Sequence, residues 1–298
     1  MLQPQAIAPQ GPNFSPLVMG YWRLMEWDMT PQQRVSFIEH HLSLGISTVD
    51  HADIYGEYRC EAAFGEALKL APGLRDQLQI VTKCGIATRA KPEHQIGHYI
   101  TDKAHILTSA ENSLRHLATD RLDLLLIHRP DPLMDADEVA EAFIALHQSG
   151  KVLHFGVSNF TRAQLTLLQS RLPFSLVTNQ LEISPIQQNL LMDGTLDQCQ
   201  QQRIRPMAWS CLGGGQLFND PHYQPLRDEL EAVRQEIGAS SIEQVVYAWV
   251  IKLPSKPLPI IGSGKAGRVK EAVGALSLTL NRQQWFRIRK AALGYDVP

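Results

Sequence analysis

The sequence predicts an α/β fold, a (β/α)8 TIM barrel with parallel strands, and three observations favour it. Short apolar runs alternate eight times with longer amphipathic segments, the pattern of a barrel in which a helix follows each strand. No long linker or break in composition divides the chain. A doubly wound open sheet is the alternative, but no Gly-x-Gly-x-x-Gly follows the first strand. We therefore expect residues 1–298 to form a single barrel domain.

Eight apolar runs predict the barrel strands. Before them, residues 1–16 are rich in Pro and Gln and predict a small hairpin or an irregular cap. Several runs are apolar at both alternating positions, as expected of strands that are covered on both faces. The predicted strands are residues 17–20, 46–50, 78–83, 122–128, 152–159, 175–180, 205–209 and 258–262.

Capping residues mark the starts of the helices between these strands. Thr30 suits an N-cap, Pro31 the first helical position and Gln33 the third, where its side chain closes a capping box. The same pattern predicts three more helix starts, at Thr161 with Gln164, at Ser240 with Glu243, and at Asn281 with Gln284. The last of these predicts one extra C-terminal helix after the eighth unit.

Composition and charge exclude several classes of partner. The chain is 44% hydrophobic and 19% charged, which is enough to bury a sizeable core. Its net charge of −2 gives no overall field for nucleic acid or membranes, and no apolar run reaches membrane-spanning length. Four dispersed cysteines without metal spacing, and an N-terminus without signal-peptide features, predict a soluble, reduced, cytoplasmic protein.

Four ionisable residues stand at or just beyond the ends of predicted strands. The second strand ends in Asp50 with Tyr55 beyond it, the third in Lys83 and the fourth in His128. Each alone has an ordinary explanation, since an Asp caps helices, a Tyr packs and a Lys is solvated. Active sites of such barrels lie at the C-terminal ends of the strands, where all four would converge. We therefore predict that they act together.

These four residues are predicted to form a proton-delivery unit. A tyrosine with its usual pKa near 10 is a weak acid, and a nearby Lys83 cation is expected to lower that pKa. One charge at ~4 Å and an effective dielectric of ~20 is worth roughly 4 kcal/mol before desolvation opposes it. Asp50 would hold the ammonium group, and His128 would orient a substrate oxygen. A proton donor without a nucleophile predicts carbonyl reduction with hydride from a cofactor.

The other strand ends suit a nicotinamide cofactor. Ser158, Asn159 and Gln180 offer partners for a carboxamide, and Trp209 offers a flat face. The stretch of residues 262–265, Gly-Ser-Gly-Lys, precedes a helix and would present backbone N–H groups to a phosphate, although such a turn alone is a weak signal.

The sequence resembles the aldo-keto reductases. The likeness rests on D-H-A-D-I-Y-G, the strand that ends in Lys83, L-L-L-I-H-R-P-D and G-K-V-L-H-F-G-V-S-N-F. It runs from about the first strand to the eighth helix. The resemblance implies a metal-free barrel that reduces aldehydes or ketones with NADPH, and most commonly a monomer.

The resemblance also implies roles for individual residues. Asp50, Tyr55, Lys83 and His128 would form the catalytic tetrad, with Tyr55 as general acid. Ser158, Asn159 and Gln180 would bind the nicotinamide carboxamide, and Trp209 would stack on its ring. The remaining implied cofactor contacts are Gly20, Tyr21, Trp22 and Asp50 near the nicotinamide ribose or substrate, Ser210, Cys211 and Leu212 along the pyrophosphate, and Gly262, Ser263, Gly264, Lys265, Arg268 and Glu271 around the 2′-phosphate and adenine. The implied substrate pocket contains Trp22, Tyr55, His128 and Arg129.

The chain departs from the family pattern at three positions. Trp209 stands where many members have Tyr, and its larger ring can still stack. Ala272 stands where many have Asn, which removes an adenine hydrogen bond. Gly262 replaces a Lys of one branch, while Arg268 still favours the 2′-phosphate.

Several alternatives stay open. The segment Gly213–Gly215 predicts either a hinge over the pyrophosphate or a rigid tight turn. His51, Asp53 and His128 could mark a metal-dependent hydrolase, but the paired His of such sites is absent. A barrel that binds NADPH as a sensor, with little turnover, is the non-enzymatic alternative. Residues that could line the substrate pocket, or simply pack at the rim, are Trp22, Met25, Trp27, Tyr58, Arg129 and Phe218.

Overall fold

Eight parallel strands close into a barrel at the centre of the structure, a computed structural model that describes residues 2–297. The barrel order is β3-β4-β5-β8-β9-β10-β11-β12, and β12 pairs with β3 to close it, with Ile260 opposite Val18. The predicted barrel is thus confirmed. The strands are β1 Gln5–Ala6, β2 Asn13–Phe14, β3 Val18–Gly20, β4 Thr48–Asp50, β5 Gln79–Cys84, β6 Ile86–Ala87, β7 His98–Tyr99, β8 Leu124–Ile127, β9 Phe155–Ser158, β10 Asn179–Glu182, β11 Met207–Trp209 and β12 Leu258–Ile261.

Helices surround the barrel and connect its strands. They are α1 Pro31–Ser43, α2 Tyr55–Tyr58, α3 Cys60–Leu70, α4 Lys103–His116, α5 Ala136–Gln148, α6 Arg162–Gln169, α7 Thr195–Gln202, α8 Gln216–Asn219, α9 Gln224–Ile237, α10 Ile242–Ile251, α11 Ala266–Gly274 and α12 Arg282–Leu293. No helix within residues 2–297 is both long and apolar enough to cross a membrane.

The predicted caps begin the helices as expected, with one correction. Full capping boxes occur at Thr30, Thr161 and Asn281, so that α1, α6 and α12 start where the sequence placed them. The prediction for Ser240 with Glu243 is wrong. Ser241 is the N-cap of α10, and its side chain accepts from the backbone N–H of Gln244. The sequence offers two adjacent serines, and only the second lies at the turn into the helix.

The core has two layers, one inside the barrel and one between the strands and the helices. All four residues of β8, Leu124–Ile127, are fully buried, which explains why this strand is apolar on both faces. The N-terminal hairpin of β1 and β2 caps one end of the barrel with the buried Ile7 and Phe14. It is anchored there because the backbone N–H of Arg205 donates to the Ile7 carbonyl at 2.7 Å.

Two helices beyond the eight repeating units pack together on one side of the barrel. One of them, α12, is the predicted C-terminal helix, whereas α9 was not predicted. The two helices contact each other, and both contact α10. Trp285 of α12 stacks on Trp249 of α10, with ring centroids 4.7 Å apart and planes 2° apart. Each indole N–H donates to the other residue's carbonyl, at 3.1 and 3.0 Å.

Candidate active site

The C-terminal ends of the strands bring the four predicted ionisable residues together. Asp50 ends β4, Lys83 lies near the end of β5, His128 follows β8, and Tyr55 opens α2 just beyond β4. In a parallel barrel these ends share one mouth, so residues far apart in sequence become neighbours.

Lys83 holds this group together through its ammonium group. Its side chain is fully buried, and Nζ donates to Asp50 Oδ2 at 2.8 Å, to the Tyr55 hydroxyl oxygen at 3.0 Å and to the His51 carbonyl at 2.6 Å. An ammonium group has three N–H donors, so all three are used. Lys83 is therefore fixed in position, with Tyr55 oriented by its hydroxyl oxygen.

Burial and charge act in opposite directions on the pKa values of Lys83 and Tyr55. Burial lowers the pKa of Lys83, but Asp50 and Tyr55 outweigh it and leave that pKa above its ordinary value. Burial raises the pKa of Tyr55, and the opposing Lys83 charge does not overcome it. Lys83 therefore lowers the Tyr55 pKa as predicted, but desolvation of the buried phenol outweighs it and leaves that pKa above its ordinary value. Tyr55 stays protonated at neutral pH.

His128 lies beside Tyr55 as a neutral imidazole. The two ring centroids are 5.8 Å apart in an edge-to-face arrangement. Burial, followed by the charges of Lys83 and Arg129, holds the pKa of His128 well below its ordinary value. Its Nδ1 has no hydrogen-bond partner among the described residues. A neutral ring at this place can donate one hydrogen bond to a substrate oxygen.

Gln180 links Asp50 to the predicted carboxamide site. Its amide lies 2.7 Å from Asp50 Oδ1, and a carboxylate can only accept, so Gln180 must present its Nε2 there. The amide oxygen of Gln180 is therefore directed away from Asp50 and is the atom left to accept from a ligand. The sequence pattern does not predict this link, because the two residues are 130 positions apart.

Ser158, Asn159 and Trp209 form a second connected set at the neighbouring strand ends. Trp209 Nε1 donates to Asn159 Oδ1 at 3.2 Å, and Asn159 Nδ2 donates to Ser158 Oγ at 2.8 Å. Asn159 has a left-handed backbone, with φ of 59°, a conformation that asparagine tolerates better than most residues. Trp209 thus orients the Asn159 amide in this structure.

A cavity of about 480 Å³ opens between these groups and runs toward α11. Most of the predicted contact residues line it: Gly20, Trp22, Asp50, Tyr55, His128, Arg129, Ser158, Asn159, Gln180, Trp209, Ser210, Cys211, Leu212, Gly262, Ser263, Arg268 and Glu271. A second, larger depression of about 1040 Å³ lies on the outside, between α6 and α7, and contains none of these residues.

Three predicted contact residues do not line the cavity. Tyr21 is buried in the core, where its hydroxyl lies 3.0 Å from His41 Nε2 and its ring stacks on His51. Gly264 packs against Trp27, whose ring would lie 2.4 Å from a Cβ at that position. Lys265 is the N-cap of α11 and is exposed. The sequence shows their proximity to the strand ends but not the direction of each side chain.

Other cavity residues were not predicted as cofactor or substrate contacts. Glu243 and Tyr247 come from one face of α10, and Gly214 and Gly215 from the turn after β11; the others are Arg23, Ile54, Ile86, Ile260 and Ile261. Glu243 and Tyr247 are four residues apart, a spacing that predicts that both side chains lie on one face of a helix. Of the possible rim residues, Phe218 lines the cavity, whereas Met25, Trp27 and Tyr58 do not.

The glycines Gly213–Gly215 form a tight turn in this structure. Their φ angles are 62°, 62° and 100°, all in the left-handed region that favours glycine. A Cβ on Gly213 would lie 2.2 Å from the Ile186 side chain. The turn therefore needs glycine for its shape, and whether it also moves stays a prediction.

His51 and Asp53 take no part in the cavity. His51 is fully buried, neither ring nitrogen has a partner in residues 2–297, and burial lowers its pKa to about 3. Burial raises the pKa of Asp53 well above its ordinary value. Across residues 2–297, no group of three or more His, Cys, Asp or Glu side chains could hold a metal ion.

Several known proteins are similar to this chain. A model of the aldo/keto reductase family matches residues 16–293. Oxidoreductase YdhF of Escherichia coli K12 is 74% identical over 298 residues, with 100% of both chains covered. A 6-dehydroglucose reductase of Agrobacterium fabrum is 44% identical, with 96% of both chains covered.

Two solved structures resemble the fold. The thermostable aldo-keto reductase Tm1743, crystallised with the inhibitor epalrestat, has a TM-score of 0.81 and 25% identity, covering 98% of this chain and 100% of that one. An aldo/keto reductase from Klebsiella pneumoniae in complex with NADP and acetate has a TM-score of 0.78 and 25% identity, covering 100% and 97%.

Proposed function

The chain belongs to the aldo/keto reductase family, and we propose that it reduces aldehyde or ketone carbonyls to alcohols with NADPH. The observation that carries the proposal is the 3.0 Å contact between the Lys83 ammonium group and the Tyr55 hydroxyl at the wall of the cavity. The reductase names of the relatives support this direction of reaction.

The donor and acceptor set of the cavity fits a nicotinamide cofactor. The Gln180 amide oxygen, Ser158 and Asn159 would hold the carboxamide, and Trp209 would stack on the ring. Arg268, one turn into α11, and the start of that helix favour a phosphate and support NADPH over NADH. The complex of the Klebsiella relative with NADP supports the same choice. When bound, NADPH supplies the hydride for the carbonyl carbon.

The tetrad delivers the proton that the carbonyl oxygen gains. Tyr55 donates its phenolic proton to that oxygen, and the neighbouring Lys83 cation stabilises the phenolate that remains. His128 donates a hydrogen bond that orients the oxygen toward Tyr55. Asp50 is a positioning residue, because its carboxylate holds the Lys83 ammonium group and the Gln180 amide in place.

Replacing Tyr55 with Phe tests the proposal. A positioned general acid is worth roughly 10²–10⁴-fold, so single-turnover reduction of a simple aldehyde by Tyr55→Phe should fall by that factor. Tyr58→Phe is the matched control, because that hydroxyl accepts a hydrogen bond from the Thr88 N–H and lies outside the cavity. Equal rates in Tyr55→Phe and the wild type would favour an NADPH-binding barrel with little turnover.

We further propose that the enzyme works as a monomer in the cytoplasm. All four cysteines are buried and unpaired, which supports a reducing compartment. Sedimentation of the purified protein would give its mass in solution, and a dimer would contradict the proposal.

A further inference from the structure

Arg129 is a cavity residue whose charge the proposed reaction does not use. It directly follows His128 at the end of β8 and reaches over the Trp209 ring, with the guanidinium carbon 5.2 Å from the ring centroid. Its charge also acts on both neighbours, since it helps to lower the pKa of His128 and opposes the rise in the pKa of Tyr55. The guanidinium group therefore lies beside the place where a carbonyl would react.

Arg129 has no acceptor of its own. Within residues 2–297 no carboxylate lies within 4.0 Å of it, and no hydrogen bond joins its guanidinium group to another protein atom. Glu182, at the end of β10, lies within electrostatic range but forms no ion pair with it. A guanidinium group offers five N–H donors in a fixed plane. Here those donors are left for water or for a ligand.

Arg23, another arginine that lines the cavity, differs from Arg129 in its partners. Its guanidinium group lies over Trp22 at 4.9 Å and within 4.0 Å of Glu26. It thus has both an aromatic face and a carboxylate partner, whereas Arg129 has only the aromatic face.

The remaining wall near Tyr55 is apolar. Trp22, Ile54, Ile86 and Phe218 line it, and they offer no hydrogen bonds to the body of a substrate apart from the Trp22 indole N–H. Asp50 and Lys83 neutralise each other. Arg129 is therefore the strongest available anchor for a substrate group beyond the carbonyl.

We propose that Arg129 binds an anionic oxygen group of the substrate, so that the enzyme prefers carbonyl compounds that carry a carboxylate or a similar anion. The inference rests on the proposed reductase function and names its substrate class. A planar anion can accept two parallel N–H bonds from a guanidinium group, and such charge-assisted bonds are stronger than those to a neutral hydroxyl or ester. The cation–π contact with Trp209 holds the guanidinium group in place for this contact.

A matched set of aldehydes tests the preference. The wild type is assayed with 4-oxobutanoate, with its methyl ester, which removes the charge and adds a methyl group, and with pentanal, a neutral aldehyde of similar length that cannot close to a hemiacetal. We expect kcat/KM to be roughly 10-fold to 100-fold higher for 4-oxobutanoate than for either neutral compound. No such preference in an enzyme that reduces the ester would overturn the inference while leaving the reductase function intact.

Variants assign the preference to Arg129. Arg129→Met keeps an apolar stem and should lose the 10-fold to 100-fold preference for 4-oxobutanoate over its methyl ester. Arg129→Lys should restore part of it, and Arg23→Met, which removes an equal charge from the same cavity, should retain it. An equal loss for charged and neutral aldehydes, or weaker NADPH binding in Arg129→Met, would show that the residue serves the cofactor or the fold.

Calorimetry gives a readout that does not depend on turnover. The unreactive analogue butanoate, which carries a single carboxylate, is titrated into the protein with bound NADP+, in the wild type and in Arg129→Met. We expect affinity to fall roughly 10-fold or more in the variant. Equal affinities would contradict the inference even if the chain reduced no aldehyde, whereas failure of the reductase function alone would leave the difference in binding.

Discussion

Lys83 remains a buried cation because three oxygens surround its ammonium group. Burying an isolated charge is costly, but Asp50, Tyr55 and the His51 carbonyl compensate for most of the lost hydration. The same three contacts set the position of the Tyr55 hydroxyl. Charge compensation and positioning of the proton donor therefore depend on one side chain.

Removing Lys83 should destabilise the protein as well as inactivate it. Lys83→Met leaves the Asp50 carboxylate buried without its cation, and we expect the free energy of unfolding to fall by about 3–5 kcal/mol in urea titrations. Adding Asp50→Asn to Lys83→Met removes the remaining charge and should recover much of that loss without restoring activity. A double variant no more stable than Lys83→Met would show that the uncompensated charge is not the cause.

At the scale of single residues, the sequence predicted which side chains meet but not how they are bonded. Asp50 and Lys83 could be paired from strand ends, since adjacent strands share one mouth. The bond between Gln180 and Asp50 could not, because it joins residues 130 positions apart across the barrel. The raised pKa of Tyr55 was also out of reach, because the extent of burial depends on the assembled cavity.

At the scale of elements, α3 and α4 cross so closely that only glycine fits at Gly65. A Cβ there would lie 1.9 Å from the His116 carbonyl oxygen of α4. Alanine is favoured over glycine within a helix by about 1 kcal/mol, but an overlap with backbone costs more than that. Packing therefore determines the residue, against its helix propensity.

Gly65→Ala should lower the free energy of unfolding by about 2 kcal/mol, because α3 and α4 must move apart. Gly73→Ala is the matched control, since a Cβ there meets nothing within 4 Å and its effect should lie within about 0.5 kcal/mol of zero. Thermal or urea unfolding of both variants checks this. Equal stabilities would mean that the helices adjust at no cost.

Glu61 of α3 should make stability depend on pH. Its carboxyl accepts a hydrogen bond from Thr82 Oγ1 of β5 at 2.6 Å, and burial raises its pKa to about 7. The folded state thus holds a proton that the unfolded state releases near pH 4.5. Its contribution is fully present below that pH and is lost as the pH rises through 7.

Glu61→Gln should remove this dependence. The amide can still accept from Thr82 but cannot ionise, so the variant should be more stable than the wild type above pH 7, by on the order of 2 kcal/mol. Urea unfolding at several pH values between about 4.5 and 8 measures it. Parallel profiles for the two proteins would contradict the role of Glu61.

The longest element that the sequence pattern did not predict is α9. Its buried Leu226, Leu230 and Val233 recur at helical spacing, but no polar cap marks its start, because Tyr223 is the N-cap and makes no side-chain hydrogen bond. The repeating strand-and-helix pattern assigns only one helix to each unit. The helices with capping boxes, in contrast, were located from sequence.

At the scale of the whole molecule, one end of the barrel is closed by apolar packing and the other contains the cavity. The hairpin of β1 and β2 closes one end with apolar side chains, and the cavity occupies the other. Stability and chemistry are therefore separated along the barrel axis, and substitutions at the two ends should have different effects.

Phe14→Ala tests this separation. Phe14 is fully buried, so its truncation should lower the free energy of unfolding by about 3–5 kcal/mol. NADPH affinity and kcat at a temperature where the variant is folded should stay within about twofold of the wild type. Urea unfolding and a cofactor titration measure the two quantities, and a large change in kcat would show that the ends are coupled.

The stacked pair of Trp249 and Trp285 gives the molecule an optical signal of its own. Two indole rings with centroids 4.7 Å apart and planes 2° apart lie close enough for their electronic transitions to couple, and an angle between the transition dipoles within those planes gives an exciton couplet in the ultraviolet circular dichroism spectrum. The couplet disappears when α12 leaves α10, whatever the state of the cavity. Spectroscopy can therefore follow attachment of the C-terminal helix separately from ligand binding at the barrel mouth.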